Sequence, residues 1–244
     1  MAQLRQQEEE MSTLSPELQA ILDRMKERAG VAREDLPDAA ALEAQRLQDQ
    51  ATARITASLI PPRFVGSSFL EYHVEAGNQK AYDVAKEWSD KTAAETKGEG
   101  FFLLGEPGTG KTHLVCSAAM QRIANGQHGV RYLNVPIFLD RIRASFKFTE
   151  SAPQDLFEYA CTKASLVLLD DFGKEKATDW ATERLYVLVE SRYQNMLPIL
   201  VTSNRTLDEL DALGYGATVS RLQQMCRTIK LETKDHRPAS KVKG

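Results

Sequence analysis

The sequence predicts a three-layer α/β domain on a five-stranded parallel sheet, with a small helical region in front of it. Strands are expected at 101–104, 130–135, 165–170, 198–202 and 227–231, most of them continuous apolar runs, and they alternate with helical patterns. Strands buried on both faces of a parallel sheet read in this way. Directly after the first run comes Gly105-Glu106-Pro107-Gly108-Thr109-Gly110-Lys111-Thr112. This is a G-x-x-x-x-G-K-(S/T) phosphate loop in the strand–loop–helix setting its chemistry requires. Composition also changes near residue 60: residues 1–59 hold no aromatic side chain.

From the N-terminus, Ser15-Pro16-Glu17 reads as a helix cap, a first-turn proline and an early carboxylate. Leu14, Leu18, Ile21, Leu22 and Met25 then form one stripe that ends at Gly30. A second helix is expected over Asp38 to Ser58, with Leu42, Leu47, Ile55 and Leu59 as a thin apolar face. Such stripes cannot build a core alone. The region is either an arm packed on its own domain or a docking module for a partner. Pro61-Pro62 opens a linker. A helix over Glu75–Thr96 turns Ala81, Val84, Ala85 and Trp88 inward. Further helices are expected near 111–125, 136–147, 153–162, 179–195, 206–213 and 217–226. The division is thus 1–60 helical, 61–238 the α/β domain and 239–244 a basic tail.

Bulk properties narrow the function. A net charge of −3 excludes a basic footprint over the whole surface, so any nucleic-acid contact must be local. The three cysteines stand far apart and outside zinc-ligand spacing. With no long apolar run and no signal-like start, a cytoplasmic protein without membrane contact is expected.

Four groups of residues carry chemistry. In the phosphate loop, glycines allow backbone N–H groups to face anionic oxygens, and the helix that follows adds partial positive charge. Lys111 is expected on the β- and γ-phosphates of a nucleotide, and Thr112 on Mg²⁺. The run Ser165-Leu166-Val167-Leu168-Leu169-Asp170-Asp171 ends a buried strand in two acids, where open α/β sheets bind ligands. Asp170 suits Mg²⁺ through its water shell and Asp171 suits the polarisation of attacking water; the lesser alternative for the pair on its own is to cap the next helix. Asn204, after Pro198-Ile199-Leu200-Val201-Thr202-Ser203, could orient that water or could simply start a turn. Arg221, in Ser220-Arg221-Leu222, is an ordinary surface arginine or an arginine finger for a neighbouring subunit.

Together with the Trp180…Glu190-Ser191-Arg192-Tyr193 helix and the terminal Asp235-His236-Arg237, these motifs resemble the AAA+ ATPases. More narrowly they resemble the bacterial helicase loaders (DnaC/DnaI-like) and the helper ATPases of insertion-sequence transposition. The resemblance implies a P-loop NTPase with an AAA+ core. It also implies that Gly105 to Thr112 and His113 surround the phosphates of ATP. Lys111 and Thr112 would be the Walker A pair, Asp170 and Asp171 the Walker B acids, Asn204 sensor 1, Arg221 the trans-acting finger and Arg237 the C-terminal arginine of the site. Asp171 departs from the usual glutamate, which implies slow hydrolysis. About a dozen residues follow the last strand, too few for the C-terminal lid of many relatives. Head-to-tail self-assembly with ATP or on a partner ring is therefore expected.

The implied activity is ATP-dependent loading of a hexameric replicative helicase (DnaB-type), gripped by the N-terminal helices, onto single-stranded DNA. The alternative is a transposition helper acting on target DNA and a transposase. Arg141, Arg143, Phe146, Lys147 and Phe148 interleave basic and aromatic groups as single-strand binding requires, or form a solvated helix face. A small-molecule kinase would need clustered arginines and an acceptor lid, which the sequence does not offer.

Overall fold

The computed structural model describes residues 38–148 and 152–236. The expected helix near 15–30, Arg237 and the basic tail lie outside these residues.

The described residues begin with α1 (Asp38–Ser58), α2 (Pro62–Val65), α3 (Gln79–Asp90) and α4 (Ala93–Thr96). The α/β alternation follows: β1 (Gly100–Gly105), α5 (Lys111–Ala124), β2 (Val130–Asn134), α6 (Val135–Phe148), α7 (Ala152–Thr162) and β3 (Leu166–Asp170). It closes with α8 (Asp179–Gln194), β4 (Ile199–Ser203), α9 (Leu207–Leu210), α10 (Gly216–Met225) and β5 (Cys226–Leu231). The strands form one five-stranded sheet in the order β2-β3-β4-β1-β5, and every pairing is parallel. This is the three-layer α/β architecture that the strand pattern predicts.

Period-two alternation divides the core. Phe101 and Leu103 of β1 join Leu168, Leu200 and Ile229 on one face, under α1, α3 and α5. Phe102 and Leu104 join Val167, Leu169 and Val201 on the other, under α6, α7, α8 and α10. All of these side chains are buried, each worth about 1.5–3 kcal/mol relative to exposure.

Three local features differ from the sequence pattern. The helix expected over 75–96 is broken at Thr92, whose hydroxyl accepts from Glu95 N–H while Glu95 accepts from Thr92 N–H. That capping box starts α4 as a new turn. Leu59, expected on the inner face, is 46% exposed at φ 60 and ends α1; Ile60 is buried in its place. Ala51 and Ile55 fix the second half of α1 to the first core face, against α5 and β2. The helix expected over 206–213 is α9 followed by a π-helical turn, Asp211–Tyr215, with Gly214 left-handed at φ 90.

Arg192 of α8 locks the sheet to its helices from inside. It is wholly buried, and its guanidinium donates to the carbonyls of Ala160 at 2.5 Å, Ala164 at 3.1 Å and Pro198 at 2.7 Å. Burial pulls its pKa down to about 9.

Strand register sets the site. Asn134 of β2 stands opposite Asp170 of β3, and Leu104 of β1 opposite Ser203 of β4. The C-terminal ends of four adjacent strands therefore form one polar edge, where ligands bind in such sheets.

Candidate nucleotide site

The phosphate loop leaves β1 and turns into α5 with Gly108 and Gly110 at φ 83 and φ 87, conformations that favour glycine. Space demands glycine there too: a Cβ at Gly108 would overlap the Asp235 carboxylate, and one at Gly110 the Tyr72 ring. Both neighbours press on the loop from outside. The Tyr72 hydroxyl donates to Thr109 O at 3.4 Å, and His236 N–H donates to Gly108 O at 3.1 Å. Lys111, the first residue of α5, is buried, and its ammonium donates to the carbonyls of Gly105 and Glu106 at 2.7 Å each.

Next to the loop, Asp170 is 4% exposed, a costly place for a carboxylate without donors. Three hydroxyls supply them. Thr112 and Thr202 donate to Oδ1 at 2.8 and 2.7 Å, and Tyr132 donates to Oδ2 at 2.6 Å. Burial, followed by the charge of Asp170, pushes the Tyr132 hydroxyl far above the ordinary tyrosine range, so it stays a donor. Thr112 and Asp170 offer hard oxygen ligands that fit a small divalent cation completed by phosphate oxygens and water. Among the described residues, no cluster of three or more His, Cys, Asp or Glu side chains is placed to hold a metal by itself.

Asp171 turns the chain off β3 at φ 62, a left-handed conformation that aspartate tolerates better than most residues. The turn is tied to β4: Asp171 N–H donates to the Thr202 hydroxyl at 3.1 Å, Phe172 N–H to Thr202 O at 2.9 Å and the Ser203 hydroxyl to Phe172 O at 2.6 Å. The Asp171 carboxylate accepts from Asn134 Nδ2 at 3.3 Å and Lys174 Nζ at 3.1 Å.

These groups open onto a crevice of about 1060 Å³. Lys111, Thr112, Asp170, Asp171, Lys174 and Asn204 line it, together with Pro62, Phe64, Ser67 and His113. The Pro61-Pro62 stretch, read as a linker, is thus part of the site. His113 reaches the Ser68 carbonyl through Nε2 at 3.0 Å and packs against the Tyr72 ring. Pro107, Gly108 and Gly110 line the crevice, whereas Gly105, Glu106 and Thr109 act from behind by holding Lys111.

The remaining expected residues lie elsewhere. Arg221 is outside the crevice lining. Its Nε donates to Glu190 Oε2 at 2.6 Å, and its guanidinium lies over the Tyr193 ring at 4.8 Å. Arg143 stacks on Trp180 at 4.8 Å, and the Phe146 ring, 62% exposed, meets the same indole edge-on. Arg141 is exposed on α6, and Lys147 and Phe148 end that helix. Tyr132, Thr202, Asn134 and Lys174 were not singled out from the sequence, because their contacts depend on strand order and on the turn after β3.

The sequence of residues 91–243 matches the family described as IstB-like ATP binding protein. The chain belongs to the IstB-like ATP-binding family. It is accordingly an ATP-binding protein with the fold of an AAA+ ATPase. Relatives within reach of this family vary in description. An uncharacterised Bacillus subtilis protein, YqaM, is 32% identical over 159 residues, 60% of this chain and 47% of that one. The replicative helicase loader DnaI of the same organism is 28% identical over 115 residues, 47% of this chain and 36% of that one. A putative ATP-binding protein of an insertion sequence in Mycobacterium tuberculosis is 30% identical over 146 residues, 58% of this chain and 57% of that one. The chain therefore spans about half the length of these relatives. Among solved structures, the DnaC helicase loader superposes with a TM-score of 0.62 at 20% identity, over 70% of this chain and all of that one, which shows the shared fold. No helix among the described residues is long and apolar enough to cross a membrane.

Proposed function

We propose that this chain is a cytoplasmic, ATP-dependent loader that engages a hexameric replicative helicase of the DnaB type and delivers it to single-stranded DNA. In this reading Lys111 and the loop amides hold the phosphates, Thr112 and Asp170 hold Mg²⁺, Asp171 takes the proton of the attacking water and Asn204 orients that water. Mg²⁺ neutralises charge on the phosphate oxygens when bound.

The observation that carries the reading is the placement of Arg221. It is held by Glu190 and Tyr193 outside the crevice that contains the rest of the machinery. A subunit whose phosphate site and arginine occupy separate surfaces is suited to hydrolyse when copies stack head to tail, so that hydrolysis times an assembly. Support for the N-terminal grip comes from α1, which Ala51 and Ile55 anchor at one end while Gln45, Arg46, Asp49 and Gln50 stay exposed. The contact with DNA is assigned to α6, through Arg141, Arg143, Phe146, Lys147 and Phe148, with Trp180 as a further stacking surface.

A second reading, a transposition helper ATPase, is favoured by the family description and by the insertion-sequence relative. It uses the same ATP site and a different partner. Co-purification of the full chain with a replicative helicase or with a transposase, in the presence of a non-hydrolysable ATP analogue, separates the two. Retention of the helicase alone is the expected result, and retention of the transposase alone would replace the loader reading with the helper reading.

A further inference from the structure

The two partners of Asp171 differ in kind. Asn134 offers a neutral amide at 3.3 Å, held in place at the end of β2. Lys174, three residues beyond Asp171, offers an ammonium to the same Oδ2 at 3.1 Å. Its side chain is 62% exposed and lines the crevice that Lys111 and Thr112 also line. One exposed cation thus pairs with the acid that follows β3 and lines the same crevice as the phosphate loop.

Magnitudes decide what such an arrangement can do. An exposed Lys–carboxylate pair is worth about 0–1 kcal/mol, so a stronger anion can take the ammonium from it. A terminal phosphate is that anion: it carries more charge than a carboxylate and presents three acceptor oxygens. While the pair persists, the ammonium stabilises the charge on Asp171 and opposes the transfer of a proton to it from water. The nucleotide that must be hydrolysed is therefore the one able to remove the ammonium.

We propose that Lys174 is a γ-phosphate-sensing catalytic residue: it pairs with Asp171 until a nucleoside triphosphate binds, then moves to the γ-phosphate and frees Asp171. In the step that follows, the water oxygen bonds to the terminal phosphorus. The bond from that phosphorus to the bridging oxygen breaks, and its electron pair stays on the diphosphate. One water proton passes to Asp171 and then to solvent. Lys174 neutralises charge on the phosphate oxygens and keeps its own proton. The inference rests on the nucleotide site and is independent of which partner the chain engages.

The test is equilibrium binding of ADP and of a non-hydrolysable ATP analogue to the full chain, with no turnover required. Lys174→Met is expected to bind ADP within about twofold of the wild type and the analogue about tenfold more weakly, a difference of about 1.4 kcal/mol. Asp171→Asn releases Lys174 in advance and is expected to tighten the analogue about fivefold, with ADP unchanged. Asp171→Asn combined with Lys174→Met should lose that gain. The proposal is overturned if Lys174→Met keeps the wild-type ratio of the two affinities. It is equally overturned if Asp171→Asn gains as much without Lys174 as with it, since the gain then comes from charge removal alone. If the wild-type chain binds neither nucleotide, the site itself is misassigned and the role of Lys174 falls with it.

Discussion

The Tyr132 hydroxyl, on β2, donates to Oδ2 of Asp170 on the neighbouring strand β3 at 2.6 Å. The bond holds one oxygen of the buried carboxylate, while the other accepts from Thr112 at the phosphate loop and from Thr202 of β4.

Removing that donor should be costly. Tyr132→Phe leaves a buried carboxylate oxygen unsatisfied and should destabilise the fold by about 1–3 kcal/mol at neutral pH, read from a thermal melt. The alkaline limb provides a second reading. The folded pKa of Tyr132 lies above its unfolded value, so the unfolded state loses its proton first as pH rises. The stability it contributes is complete below about pH 10 and declines progressively as pH rises above it. Tyr72 and Tyr215 shift in the same direction, so the difference between wild type and Tyr132→Phe isolates Tyr132. That difference should shrink above about pH 10; a constant difference would contradict the bond's contribution.

Arg192 presents the opposite balance. Its lowered pKa shows that burying the charge is unfavourable, yet three carbonyls depend on it. Arg192→Leu removes a donor from all three, leaving Pro198 O only the long bond from Val167 N–H at 3.4 Å, and should lower stability by about 2–4 kcal/mol, read from the urea midpoint. Arg192→Lys should recover only part of this, because one ammonium lacks the fork that spans α7 and β4. Full recovery by lysine would show that charge alone, and not the fork, is what the core requires.

The short acid at position 171 makes a kinetic prediction. Asp171→Glu extends the carboxylate by one methylene towards the crevice and should raise the single-turnover hydrolysis rate about tenfold, roughly 1.4 kcal/mol of barrier. An unchanged or lower rate would show that the aspartate is not what slows the reaction.

Much of this was legible in the sequence. The run Phe101-Phe102-Leu103-Leu104 and the runs of β3 and β4 mark the central strands to within one or two residues, because a strand buried on both faces permits little else, whereas the edge strand β5 alternates buried and exposed residues. Lys111, Thr112, Asp170, Asp171 and Asn204 meet in one crevice, as strand-end positions in a parallel sheet predict. Other contacts depend on strand order, which periodicity does not encode. Tyr132 and Thr202 reach Asp170 only because β2 and β4 flank β3. Lys174 reaches Asp171 through a left-handed turn that hydrophobic patterning does not encode. The break at Thr92 was readable in principle, since Thr92 and Glu95 stand at capping-box spacing inside an otherwise continuous helical pattern.

The central claim is that one subunit supplies the phosphate site and another supplies Arg221. Mixing Lys111→Ala with Arg221→Ala chains tests it most directly, because each variant alone lacks one half. Measured as phosphate release at fixed total protein, with the assembling partner present, the mixture should hydrolyse ATP at about a quarter of the wild-type rate while each variant alone is about 10³-fold slower. A mixture no faster than its components, or an Arg221→Ala chain with wild-type turnover, would contradict the account.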